Sequence, residues 1–152
     1  MPPSVANDLG SKSDQPAMEE CACTLDRLGI EHETHVISAH RSPEKLRQFA
    51  LEAPQRGVQV IIAAAGMAAA LPGVLASHAP TIPVIGVPLA AGGVNGLDSL
   101  LSIAQMPPGV PVACMAVNGA RNAALFAAQI LALSDDGVRR ALEDYRHELS
   151  QG

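Results

Sequence analysis

Apolar residues along the chain alternate between short unbroken runs and stripes at helical spacing. Val58 to Ala64, Pro83 to Val87 and Val112 to Val117 have the continuous apolar character of strands buried on both faces of a parallel sheet. Ile30 to Ile37 reads as a further strand, and Val5 to Leu9 as the first. Met18, Cys21, Leu25 and Leu28 form one stripe, which predicts a helix from about Gln15 to Leu28. Ser13 or Asp14 can cap it, Pro16 suits its first turn, Glu19 and Glu20 complement its dipole, and Gly29 ends it. Ser42-Pro43-Glu44 opens a second helix whose Leu46, Phe49, Ala50 and Ala53 face the core. Further helices are expected around Pro72–Ser77, Leu97–Ala104 and Arg121–Leu133. Ser134-Asp135-Asp136 caps the last, at about 135–151, striped by Val138, Leu142, Tyr145 and Leu149. Strands alternating with helices define an α/β chain with a parallel sheet. With no internal repeat and no linker, residues 1–152 form one domain.

The first strand breaks the pattern. Asn7 and Asp8 stand where a central strand is buried, and an unpaired buried carboxylate is expensive. Either the strand is short and frayed, or those side chains find partners.

Hydrophobic residues make up 48% of the chain and the mean hydropathy is +0.20, which excludes disorder. A net charge of −5 excludes a general nucleic-acid binder, which needs a basic face. Between Arg56 and Arg121 the only formal charge is Asp98, so much of that stretch is expected to be buried against other subunits as well as in its own core. The best candidate for a membrane span, Val60 to Leu71, is interrupted by Gly66, closed by Pro72 and far short of roughly 20 residues. Met1 to Leu9 has neither the basic start nor the apolar run of a signal peptide. Cys21, Cys23 and Cys114 form no CxxC pair and read as reduced core thiols of a cytoplasmic protein.

Three clusters each follow a candidate strand: Gly10-Ser11-Lys12-Ser13-Asp14, Ser38-Ala39-His40-Arg41, and Gly66-Met67-Ala68-Ala69-Ala70-Leu71-Pro72-Gly73. Right-handed crossovers bring all three to one rim of a parallel sheet, where ligands of such folds bind. The first cluster offers hydroxyls and amides at a helix N-terminus, which suits a phosphate, while Asp14 could accept hydrogen bonds from a ribose; plain helix capping is the competing explanation. Arg41 is a natural phosphate clamp, and His40 can move protons near neutral pH. His32 and His35 point to opposite faces of their strand, where solvated positions are expected rather than a metal pair. No HExxH or comparable spacing is present, so no metal is expected. Asp98 is expected to cap the Leu97 helix.

The two polar clusters, with Ala70-Leu71-Pro72-Gly73, Pro83-Val84-Ile85-Gly86-Val87-Pro88, Gln105-Met106-Pro107-Pro108-Gly109-Val110-Pro111-Val112 and Asn122-Ala123-Ala124-Leu125, resemble the class I N5-carboxyaminoimidazole ribonucleotide mutase family of purine biosynthesis, from about Leu9 to Leu133. The resemblance implies a three-layer α/β/α sandwich with a flavodoxin-like parallel sheet and a C-terminal helix, assembled as a homo-octamer. It implies a cofactor-free isomerase that moves a carboxylate from the exocyclic nitrogen of a ribonucleotide substrate to ring carbon C4. By motif, Ser11, Ser13, Ser38 and Arg41 would hold the 5′-phosphate, Asp14 the ribose, and His40 would be the general acid and base. Ala39, Gly66, Met67, Ala68 and Leu71 are the remaining candidates for contacting substrate. The alternatives are a carboxylase using free CO2 and a non-catalytic nucleotide or phosphate binder. The family commonly carries a His where Ala70 stands and a small GG-type turn where Met67 stands.

Overall fold

The computed structural model describes residues 2–152. Five parallel strands, β1 (Val5–Leu9), β2 (His32–Val36), β3 (Val60–Gly66), β4 (Val84–Leu89) and β5 (Ala113–Cys114), form one sheet in the order β2-β1-β3-β4-β5. Six α-helices connect and cover them: α1 (Gln15–Arg27), α2 (Pro43–Glu52), α3 (Leu71–His78), α4 (Leu97–Ala104), α5 (Ala120–Leu131) and α6 (Asp136–Gln151). A 3-10 turn, Lys12–Asp14, leads into α1.

The sheet separates two apolar cores. On one face the predicted stripe of α1 packs with Ala123, Ala124, Ala127 and Ala128 of α5 and with Val138 and Tyr145 of α6. On the other, Leu46, Phe49 and Ala50 of α2 meet Leu71 and Leu75 of α3 and Ile103 of α4. Each fully buried Val, Leu or Ile side chain stabilises the fold by about 1.5–3 kcal/mol, and β3 supplies Val60, Ile61 and Ile62 in a row, followed by the buried methyl groups of Ala63 and Ala64. Gly86 in the middle of β4 serves this packing, because a Cβ there would stand 2.4 Å from Ile103 Cγ2 and 3.1 Å from Val112 Cγ1.

The polar first strand is neither short nor frayed. All five residues of β1 are buried and in register with β2 on one side and β3 on the other. Adjacent side chains on a strand take opposite faces, and the two polar residues fare differently. Asn7 Oδ1 accepts a hydrogen bond from Cys21 Sγ of α1 at 3.4 Å. Both Asp8 oxygens are fully buried without a hydrogen-bond partner among the described residues. Burial pushes the Asp8 carboxyl well above the usual carboxylate range, Glu33 pushes the same way, and Arg56 opposes them.

Other expectations shift in detail. β5 is two residues long rather than six. Pro111 has no N–H to give on its N-terminal side. Past Cys114 the chain is tied to β4 by Met115 N to Gly86 O at 2.9 Å and Asn118 N to Pro88 O at 2.8 Å before it turns at Asn118, φ 60°. His32 and His35 do lie on opposite faces, but they are only partly exposed, each packed against a neighbour. His32 Nε2 sits 2.8 Å from Asp26 Oδ1 beside α1, and the His35 ring packs 4.9 Å from Phe49 of α2. Gly96, at φ 88°, occupies the N-cap of α4; Asp98 lies in the first turn and accepts the Ser99 N–H at 2.9 Å. Asp135 caps α6 as expected, accepting from Val138 N at 3.1 Å, while Leu149 at the far end is exposed. The cysteines are free, with Cys21 buried and its thiol pushed up to about 12, but Cys23 is exposed rather than in the core. No helix among the described residues is long and apolar enough to cross a membrane.

Candidate active site

Strand order reverses between β1 and β3, and the carboxyl ends of parallel strands splay apart at such a point. A cleft of about 400 Å³ lies there. The turn after β1 brings Gly10, Ser11, Ser13 and Asp14 to it, the turn after β2 brings Ser38, Ala39, His40 and Arg41, and the turn after β3 brings Gly66 through Leu71. The three clusters picked from sequence thus share one wall-to-wall space.

Local hydrogen bonds fix each turn. Gly10 N donates to Ala64 O at 3.2 Å, tying the first turn to β3. Ser11 Oγ stands 3.0 Å from Ser13 Oγ and accepts the Ser13 N–H at 3.4 Å. Ser11 is therefore the cap of the 3-10 turn. Asp14 occupies the N-cap position of α1 but makes no side-chain capping bond, so capping does not consume its carboxylate. Burial raises the Asp14 pKa, and a backbone hydrogen bond from Ser11 opposes the shift. In the second turn Ser38 Oγ accepts the Arg41 N–H at 3.1 Å, and Ser38 O accepts from Ser42 N at 2.9 Å. That curl turns His40 and Arg41 outward as exposed residues at the cleft.

The charge pattern marks the site. Ion pairs among the described residues occupy Arg27, Arg56, Arg121 and Arg139; of the other Lys and Arg residues, Lys12, Arg41, Lys45, Arg47, Arg140 and Arg146, Arg41 alone lines the cleft. A guanidinium without a protein partner beside two hydroxyls and a helix start favours an anion. The imidazole of the adjacent residue, His40, adds a group that can both give and take a proton at the same cleft. Among the described residues no group of three His, Cys, Asp or Glu side chains could hold a metal ion.

Sequence reasoning missed one wall. Ala91, in the loop after β4, also lines the cleft. The same rule about strand ends applies to it, but Ala90-Ala91-Gly92-Gly93 has no polar side chain to draw attention. Its approach is close: a Cβ on Gly66 would stand 2.8 Å from Ala91 Cβ. Asn118 holds this loop, accepting the Ala90 N–H on Oδ1 at 3.1 Å and donating its own N–H to Pro88 O at 2.8 Å.

Sheet order, layering and the switch-point cleft make this a flavodoxin-like α/β protein. The family model described as AIRC, AIR carboxylase, matches residues 4–152, and the chain belongs to that family. It is 50% identical over 149 residues to the N5-carboxyaminoimidazole ribonucleotide mutase of Pyrococcus abyssi, covering 98% of this chain and 85% of that protein. It is also 50% identical over 151 residues to the mutase of the same name from Saccharolobus solfataricus, covering 97% and 95%. The crystal structure of Treponema denticola PurE2-S38D superposes with a TM-score of 0.89 at 28% identity, over 99% of this chain and 93% of that one.

Proposed function

We propose that the protein is an N5-carboxyaminoimidazole ribonucleotide mutase, an isomerase of purine biosynthesis acting in the cytoplasm. The observation that carries this reading is the meeting, in one switch-point cleft, of the Ser11 turn, the unpaired Arg41 and the exposed imidazole of His40. Relatives at half identity over almost the whole chain carry that name, which supports the choice of substrate.

The cleft's chemistry fits the reaction. Ser11, Ser13, Ser38 and Arg41 hold the 5′-phosphate, and Asp14, not spent on capping, accepts from the ribose hydroxyls. The base then lies toward His40 and the alanine-rich turn after β3. His40 as imidazolium protonates the exocyclic nitrogen of the carbamate. The N–C bond breaks, its electron pair staying on nitrogen, and CO2 is released. The C4 electron pair attacks CO2 to form the new C–C bond, and neutral His40 removes the C4 proton. Protons balance across the cycle, so one residue suffices as acid and base. Holding CO2 beside C4 turns the second step into an intramolecular one.

Arg41→Ala removes a charge-assisted contact of the kind that contributes about 1.5–3 kcal/mol. Titration calorimetry with the ribonucleotide product should show affinity roughly ten-fold or more weaker; unchanged affinity removes Arg41 from the phosphate site. The charge-poor stretch between Arg56 and Arg121, with Val94, Leu97 and Leu101 exposed, supports assembly into a homo-octamer, and light scattering that reads a lone 15.7 kDa species would overturn it. The deciding assay for the function itself supplies the carbamate without ATP. Near-stoichiometric conversion to the C4 carboxylate is expected. Dependence on added bicarbonate would make the protein a carboxylase, and binding without turnover would make it a non-catalytic relative.

A further inference from the structure

Met67 is out of place by every local criterion. It has φ 55°, in the left-handed region where glycine is the cheap choice and a longer side chain is strained. It is 58% exposed in the single chain, so packing within its own core does not explain it. Ala69 in the same turn is also left-handed at φ 44°, and its N–H donates to Gly66 O at 3.0 Å, so the turn is held in this shape. Strain that persists in a ligand cleft is a reason to look for a role.

The side chain's direction supplies one. A Cβ on Gly92 would lie 3.5 Å from Met67 Cγ and 3.9 Å from its Sδ. Met67 therefore reaches from the turn after β3 to the loop after β4, beside the point where Gly66 and Ala91 already touch. The surrounding wall is the methyl groups of Ala65, Ala68, Ala69, Ala70 and Ala91, too short to cover anything, and Leu71, whose side chain is buried in the core. Met67 is the long apolar side chain on that side of the cleft that is exposed, and a thioether adapts its shape to what it covers.

We propose that Met67 is a positioning residue that closes the base end of the cleft and keeps released CO2 beside C4 until the new bond forms. This rests on the mutase reading. Within one subunit the cleft opens along the exposed His40, Arg41 and Ala68, so CO2 freed there has a way out of that subunit unless something apolar covers the ring. Gly92, at φ 83° and without a side chain, leaves the space into which Met67 leans.

The test follows the carboxylate. Substrate labelled with carbon-13 in the carbamate is converted in unlabelled bicarbonate, and the fraction of C4 carboxylate that has lost label is measured against an enzyme-free blank. Met67→Gly relieves the left-handed backbone, so it is expected to fold with a Tm within a few degrees of the wild type. It should lose label at least three-fold more often per turnover. Met67→Leu, which restores an apolar side chain of similar volume, should leak less than Met67→Gly. Equal label loss in wild type and Met67→Gly overturns this inference and leaves the mutase reading standing. Absence of any C4 product from the wild-type protein overturns the mutase reading and this inference with it.

Discussion

His40→Asn is expected to lower turnover by roughly 10²–10⁴-fold, the range that general acid–base catalysis supplies, while ribonucleotide affinity stays within a few-fold. Asn is close to His in size and keeps a polar side chain, but it cannot carry a proton between nitrogen and C4. The surrounding geometry does not depend on the imidazole: the turn is held by Ser38 Oγ on Arg41 N and by Ser38 O on Ser42 N. Steady-state kinetics beside a direct binding measurement separate the two effects. Turnover retained in His40→Asn would take the proton chemistry away from this residue. A parallel loss of affinity would mean that His40 holds the ligand instead.

The second large effect concerns stability. Asp8→Val should stabilise the fold by about 1–3 kcal/mol at neutral pH, the usual cost of a buried polar group that lacks a hydrogen bond. For a domain of this size each kcal/mol moves Tm by roughly 2–4 °C. The pH dependence gives an independent sign. Because burial raises the Asp8 pKa in the folded state, the native chain holds a proton that the unfolded chain releases near pH 3.9. Stability from this group is fully present below that pH, declines as pH rises through the folded-state value, and levels off above it. The ionisable groups facing it are Glu33 and Arg56, with His35 opposite in register on β2. They are unchanged in Asp8→Asn, so the difference between wild type and that variant isolates Asp8. Thermal melts across pH should show a shallower decline in Asp8→Asn. Identical slopes, or a Val variant no more stable than wild type, would mean that Asp8 has found a partner in solution.

The elements were legible where one force dominates. The stripe Met18, Cys21, Leu25, Leu28 and the unbroken run of β3 each answer to burial alone, and both fold as their spacing predicts. Convergence of the Ser11, His40 and Gly66 turns was legible too, because handedness and strand direction leave those turns one rim to share. The length of β5 was not. Apolar character extends to Val117, but the regular ladder covers only Ala113 and Cys114; beyond it Met115 N to Gly86 O and Asn118 N to Pro88 O are the backbone bonds to β4. Nor could pattern decide the fate of β1. Whether Asn7 finds Cys21 and Asp8 finds nothing depends on which face each meets, a tertiary fact absent from the local sequence. Ala91 was invisible for a related reason: its contribution is position, and alanine carries no chemical signature of position.

A sheet this apolar would seed stacking between molecules if either outer strand offered a long bare ladder of amides and carbonyls. Neither does. β5 ends after two residues and is preceded by a proline, so it gives a would-be strand almost nothing to pair with. β2 carries Glu33 and His35 on one face and the exposed Thr34 between them, so an incoming strand would have to bury charge to dock. A chain with few charges to keep its copies apart thus resists fibril growth by how its sheet stops.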